Sequence, residues 1–165
     1  MTREDSLQEK VRQKAFRLLA VKARSEKELR AKLREKGFDE TVVGEVIENL
    51  RELKYLDDES FAGQWAQNLG VNRLLGNRRI ELSLREKGIS PPLIKKAIED
   101  VRREINEAEA VMILIRKKVK SRDIREMDDR EKVRLARNLM GKGFPPDLIF
   151  HMLKESKEEF VNDGE

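Results

Sequence analysis

Side chains that could carry out catalytic chemistry are few in this chain. Its 165 residues include no cysteine and one histidine, His151, which lies in an apolar helical stretch without a nucleophile placed to partner it. That inventory cannot supply a transition-metal ligand set, and the sequence has neither of the common glycine-rich phosphate loops. The pair Asp57 and Asp58 could bind a hard cation, but helix capping explains it more simply. We therefore predict a protein that is not an enzyme and has no catalytic residues, cofactor or metal.

Basic side chains are the stronger chemical feature. Residues 70–122 contain 14 Lys and Arg against 7 Asp and Glu, a net charge of +7, whereas the rest of the chain has 22 against 25, a net charge of −3. A charge run is usually a solvated helix face, and the alternative is a surface that contacts phosphates or an acidic protein groove. Both interpretations stay open. The residues predicted to contact such a partner are Arg73, Arg78, Arg79, Arg85, Lys87, Lys95 and Lys96.

Two aromatic residues precede this basic region. Phe61 and Trp65 are spaced one helical turn apart, and such a pair could stack on the bases of a single strand. The same helix is otherwise lined with alanine and leucine, including Ala62, Ala66 and Leu69. We therefore expect the two aromatic rings to belong to a hydrophobic core.

A helix–glycine–helix phrase occurs three times and must position these side chains. It is centred on Gly37, Gly88 and Gly143, which are 51 and 55 residues apart, and a lysine precedes each glycine. Apolar residues recur four and eight positions before each glycine and one, five, six and ten positions after it. The pattern predicts an all-α fold of three tandem three-helix repeats that form an elongated, curved helical row. The repeats are residues 1–55, residues 56–104 (the basic central repeat) and residues 105–165 (with an acidic tail).

Helix start signals subdivide each repeat. The first helix is predicted at residues 6–22. Capping boxes open the second helix at Ser25 and the eighth at Asp128. Asp57 and Asp58 can cap the fourth helix, and Ser90, followed by two prolines, marks the start of the sixth.

Composition restricts the cellular setting. Charged residues make up 41% of the chain, and the net charge is +4. The first thirty residues contain no apolar segment of the secretory type, and the longest apolar run, residues 110–115, is too short to span a bilayer. We expect a cytoplasmic monomer that does not insert into membranes.

Three motifs in this sequence resemble those of the RecX family, the regulatory proteins of the RecA recombinase. Residues 55–62, YLDDESFA, resemble its LDD-x-x-FA motif, and residues 76–89, GNRRIELSLREKGI, resemble its second motif. The first-repeat phrase at residues 25–33, SEKELRAKL, is similar too, and the likeness covers roughly residues 15–153. Asn77, Leu82 and Ser83 depart from the family pattern, in which proline, a polar residue and glutamate are common.

The resemblance implies a non-enzymatic modulator. Proteins of this family bind the RecA–DNA filament within its helical groove and typically inhibit its ATPase, strand-exchange and coprotease activities, in recombinational DNA repair and the SOS response. Many also bind single- or double-stranded DNA. The alternative that stays open is a general DNA-binding helical-repeat protein that uses the basic central repeat.

Overall fold

The computed structural model describes residues 2–120 and 122–155, and every regular element within those ranges is a helix or a helical turn. The first repeat comprises α1 (Arg3–Val21), α2 (Glu26–Glu35) and α3 (Glu40–Glu52). The second comprises α4 (Asp58–Gln67), a π-helical turn (Asn68–Asn72), α5 (Asn77–Glu86) and α6 (Pro91–Glu104). The third comprises α7 (Glu107–Val119), a 3-10 turn (Ile124–Glu126), α8 (Asp129–Gly141) and α9 (Pro146–Glu155). The predicted all-α fold of three three-helix repeats is confirmed.

The three repeated glycines end α2, α5 and α8 in the same way. Gly37, Gly88 and Gly143 have φ angles of +87°, +76° and +95°, in the left-handed region that favours glycine. In each case the amide of the next residue donates to a carbonyl five residues earlier, as from Ile89 to Leu84 at 3.1 Å. The apolar side chain after each glycine packs in or against the core of its own repeat, and the next helix begins three residues after the glycine.

Most of the helix caps follow the sequence prediction. The hydroxyl of Ser25 and the carboxylate of Asp128 accept from backbone amides in capping boxes. Two starts differ. Helix α1 begins at Arg3 rather than at residue 6, because Thr2 forms a capping box that the apolar pattern did not reveal. The Ser90 hydroxyl makes no capping bond, because α6 opens on two prolines whose missing N–H groups need no acceptor.

Each repeat has its own hydrophobic core, and the cores follow one another along the chain. The connection before α5 is an exception, since Leu74 belongs to the second repeat by sequence but is buried in the third core. Among the described residues, the largest fully buried side chains are Val11, Leu29, Leu33, Val43, Ile47 and Leu50 in the first core, Ile80, Leu84 and Val101 in the second, and Val111, Leu139 and Ile149 in the third.

Two sequence predictions concern the ends and the surroundings of the chain. The acidic tail lies in residues 156–165, outside the described residues. Among the helices that the structure describes, none combines the length and the apolar character needed to cross a bilayer.

Candidate interaction surface on the central repeat

Helix α5 carries three of the seven predicted contact residues, Arg78, Arg79 and Arg85, and the third repeat fixes its first turn. The amide of Gly76, the residue before α5, donates to the carbonyl of Lys142 at 2.8 Å. A Cβ atom on Gly76 would overlap the carbonyl of Gly143 and lie 2.6 Å from the amide nitrogen of Phe144. A Cβ atom on Gly143 would in turn lie 2.6 Å from the Cβ and backbone nitrogen of Arg79. The start of α5 and the turn between α8 and α9 therefore meet backbone to backbone.

Arg73, Arg78 and Arg79, here called the arginine triplet, flank this junction. All three side chains are exposed. Within residues 2–120 and 122–155, no ion pair or side-chain hydrogen bond involves any of them. Three guanidinium groups without carboxylate partners leave a local positive potential, which favours contact with phosphates or carboxylates of another molecule.

Arg85, Lys95 and Lys96 are also exposed, but each has an acidic neighbour. Arg85 pairs with Glu81 at 2.5 Å, and Lys95 lies 3.9 Å from Glu99 on the next helical turn. Lys96 pairs with Glu59 of α4, and the hydrogen bond from that pair raises the pKa of the lysine. Exposed pairs of this kind contribute little to stability, and their charge is partly neutralised before any partner arrives.

Lys87, the seventh predicted contact residue, points into the junction between the first and second repeats. Its ammonium pairs with Glu28 of α2 and lies 4.7 Å from the centre of the Trp65 ring. Burial works to raise the pKa of Glu28, but hydrogen bonds from Lys87 and from the Ser25 backbone outweigh it, and the pKa lies below its usual value. Lys87 is thus committed to holding two repeats together, and we leave it out of the proposed contact surface.

Two further contacts close the same junction. The Lys27 ammonium donates to the carbonyl of Glu86 at 3.2 Å, and the amide of Glu26 donates to Asp58 Oδ1 at 2.8 Å. Only Asp57 caps α4. Its carboxylate accepts from the backbone amides of Glu59 and Ser60. Burial raises the pKa of Asp58, and the charges of Glu26 and Asp57 add to the effect. Hydrogen bonding therefore accounts for both carboxylates of the Asp57–Asp58 pair.

Arg102 lies outside the set of predicted contact residues and has a structural role. Its guanidinium donates to Asn77 Oδ1 at 2.6 Å and to the carbonyls of Leu75 and Ile105 at 2.8 and 3.2 Å. Burial lowers the pKa of Arg102, against the charge of Glu107. Its place in the sequence could have predicted this, because it follows the apolar residue Ile98 by four positions and so lies at the edge of the buried face of α6.

The aromatic pair lies in the core of the central repeat, as expected. Phe61 is buried, and its ring stacks on that of Trp65 at 5.8 Å between centroids. The Trp65 indole donates to Ser83 Oγ at 2.8 Å. Ser83, which replaces the glutamate common in the family, therefore has a hydrogen-bond partner in this repeat. Leu82, a second departure, is 43% exposed on α5. His151 lies exposed on α9, far in sequence from these groups.

Comparison with known proteins accounts for nearly the whole of this architecture. Family profiles described as the first, second and third three-helix domains of RecX match residues 12–50, 57–98 and 106–153. A protein named "Regulatory protein RecX" from Syntrophotalea carbinolica is 30% identical over 143 residues, which cover 87% of this chain and 94% of that protein.

The chain belongs to the RecX family. Another member, from Clostridium botulinum, is 33% identical over 149 residues, which cover 89% of this chain and 68% of that protein. The crystal structure of RecX from Lactobacillus salivarius superimposes with a TM-score of 0.79 at 23% identity, over 93% of this chain and 98% of that one. At that identity the likeness supports the fold alone. The relatives are named as regulatory proteins, and the repeat boundaries after residues 55 and 104 stay a prediction.

Proposed function

We propose that this protein binds RecA and the RecA–DNA filament and inhibits the ATPase, strand-exchange and coprotease activities of RecA. It would do so in the cytoplasm, without catalysis of its own, during recombinational DNA repair and the SOS response. Membership of the RecX family over all three repeats supports a regulatory role, and the resemblance of the motifs supplies RecA as the partner.

The observation that carries the choice of contact surface is the arginine triplet. Its three guanidinium groups are exposed beside the junction of the second and third repeats. By contrast, Arg85, Lys95 and Lys96 each lie close to a glutamate of the same repeat. A filament offers both DNA phosphates and protein carboxylates, and arginine can bind either group through paired hydrogen bonds. The fixed first turn of α5 would hold Arg78 and Arg79 in a defined orientation toward such groups.

A titration of RecA's DNA-dependent ATPase tests this function. Purified RecA on single-stranded DNA is held at constant concentration while the protein is added. We expect hydrolysis to fall at protein concentrations well below those needed to coat the DNA, because the proposed target is the RecA filament and not the bare DNA. Unchanged hydrolysis at a several-fold excess over RecA would contradict the proposal.

A general DNA-binding role is the second candidate, and the same unpaired arginines favour it. A protein that binds phosphates alone should bind single-stranded DNA in the absence of RecA. The logarithm of its affinity should fall linearly with the logarithm of salt concentration, by about 0.7 for each phosphate neutralised. Fluorescence anisotropy with a labelled oligonucleotide measures both properties. Tight, salt-sensitive binding combined with an unaffected RecA ATPase would favour this second function.

A further inference from the structure

The third repeat holds two successive residues of the segment that carries the arginine triplet, residues 73–79. The amide of Gly76 donates to the carbonyl of Lys142, and the amide of Asn77 donates to Glu107 Oε1, both at 2.8 Å. The Glu107 side chain is half-buried at the first position of α7. A side chain of the third repeat therefore binds the first residue of a helix in the second.

Helix α5 needs an acceptor from elsewhere, because its own cap residue cannot supply one. Gly76 precedes the helix and has no side chain, and the first amides of a helix have no partner within it. In α2 and α8 the capping oxygen is local, on Ser25 and Asp128. For α5 the acceptor is Glu107, 30 residues further along the chain than Asn77, and its negative charge also suits the positive end of the helix dipole.

The side chain of Asn77 is held from the second repeat. Its Oδ1 accepts from Arg102 Nε at 2.6 Å, and Arg102 Nη2 donates to the carbonyl of Leu75 at 2.8 Å. Asn77 is thus bound through its amide by one repeat and through its side chain by another. Arg78 and Arg79 are the next two residues of the helix, so the direction in which their side chains leave the backbone depends on both bonds.

Leu74 anchors the other end of the segment. Its φ of +53° lies in the left-handed region, which residues other than glycine rarely adopt. Such a conformation persists only where the surroundings enforce it, and here the side chain is buried in the core of the third repeat. Arg73, the first member of the triplet, directly precedes Leu74. The third repeat therefore holds the backbone beside Arg73 as well as the backbone before Arg78.

We propose that Glu107 is a positioning residue of the interaction surface: by capping α5 from the third repeat, its carboxylate sets the orientation of Arg78 and Arg79 toward their partner. This inference rests on the proposed function, because it concerns how the same surface is presented. It gives the third repeat a part in binding, although none of the seven predicted contact residues lies there. Glu107 acts through the backbone of Asn77 and need not touch the partner.

Three single substitutions separate positioning from other effects. Glu107→Ala removes the acceptor, whereas Glu107→Gln keeps an oxygen that can accept from the Asn77 amide and removes the charge. Asp129→Ala is the matched control, because Asp129 occupies the same first position in α8 that Glu107 occupies in α7. Within residues 2–120 and 122–155, the Asp129 side chain makes no hydrogen bond or ion pair. Circular dichroism establishes that each variant is folded at the assay temperature.

Backbone amide hydrogen exchange, followed by NMR on the full chain without RecA, tests the cap itself. We expect the Asn77 amide to exchange at least several-fold faster in Glu107→Ala than in the parent, because its acceptor is lost. Glu107→Gln should restore most of the protection, and Asp129→Ala should leave it unchanged. Unchanged exchange at Asn77 in Glu107→Ala would overturn the proposal, whatever the effect on RecA.

The RecA ATPase titration then tests the link to the two arginines. Glu107→Ala should need a several-fold higher concentration for half-inhibition, whereas Glu107→Gln and Asp129→Ala should inhibit like the parent. Added to Arg78→Ala/Arg79→Ala, Glu107→Ala should cause no further loss, because residues that act as a unit are not additive. A further loss of the same size in that triple variant, or a full loss in Glu107→Gln, would overturn positioning through this bond.

Failure of the proposed function gives a different result. If the parent does not inhibit RecA at all, the proposed function is wrong, and the same four proteins are compared for binding to a labelled single-stranded oligonucleotide. Weaker binding by Glu107→Ala alone would support the positioning role on a DNA-binding surface. Equal binding by all four proteins would overturn it.

Discussion

Replacing Gly76 by alanine perturbs the junction of the second and third repeats at its tightest point. Gly76 has a φ of −76°, an angle that any residue adopts, so the substitution introduces no backbone strain. The new methyl group would nevertheless overlap the Gly143 carbonyl and lie 2.6 Å from the amide nitrogen of Phe144. Both neighbours are backbone, so that relief requires the start of α5 and the α8–α9 turn to move apart and the bond from Gly76 to Lys142 to lengthen.

The cost follows from these contacts. Overpacking a tight site costs about 1–3 kcal/mol, and the lost hydrogen bond adds about 1 kcal/mol. The reduced entropy of the unfolded chain returns about 0.4–1 kcal/mol. We therefore expect Gly76→Ala to lower the free energy of unfolding by about 1–4 kcal/mol.

The same chemical change at Gly63 provides the control. Gly63 lies within α4, and a Cβ atom there would meet nothing within 4 Å. Gly63→Ala should raise the free energy of unfolding by about 0.5–1 kcal/mol, because alanine is the better helix former. Urea denaturation followed by circular dichroism measures both variants. If Gly76→Ala proved as stable as Gly63→Ala, the backbone-to-backbone junction described above would be wrong.

Three further predictions concern polar contacts between and beside the repeats. Lys87→Met should cost about 1 kcal/mol at pH 7. The folded pKa of Glu28 is lowered, so the stability that the Lys87–Glu28 pair contributes is present above the ordinary glutamate pKa and is lost as pH falls through the folded value. Denaturation curves of the variant and the parent should therefore converge in acid. Arg102→Lys should cost about 1–3 kcal/mol, because three separate nitrogens of the planar guanidinium bind the Asn77 side chain and the two carbonyls, and a compact ammonium cannot reproduce that spacing. Melting no lower than that of the parent would contradict this role. Asp58→Asn keeps an oxygen that can accept from the Glu26 amide and removes the negative charge. Because the folded pKa of Asp58 is raised, that charge destabilises the folded protein once pH rises through the ordinary aspartate pKa. The variant should therefore be at least as stable as the parent at pH 7, and a clear loss of stability in thermal melting at that pH would contradict the stated cause.

Local rules predicted the helices and turns of this protein well. The glycines at 37, 88 and 143 could be assigned to helix ends because each sits at a fixed distance from apolar residues on both sides, and the left-handed turn depends only on those neighbours. The capping boxes at Ser25 and Asp128 are equally local. Such features need no knowledge of how one repeat meets the next.

The sequence pattern did not predict the contacts between repeats. Lys87 and Arg85 are two positions apart in the same basic run, yet Lys87 faces Glu28 and Trp65 across a junction while Arg85 faces solvent. The mutual approach of Gly76 and Gly143 likewise involves residues 67 positions apart, since 143 − 76 = 67. The charge count therefore found the basic region but could not separate side chains that hold the fold from those available to a partner.

The most direct test of the proposed function compares two variants that each lose two positive charges. Arg78→Ala/Arg79→Ala removes two members of the arginine triplet, and Lys10→Ala/Arg17→Ala removes two exposed cations of α1 in the first repeat. Both should melt close to the parent, because surface substitutions change stability little. In the RecA ATPase titration, we predict that the first variant needs a concentration at least several-fold higher for half-inhibition and that the second inhibits like the parent. Equal inhibition by both variants would contradict the assignment of the arginine triplet as the contact surface.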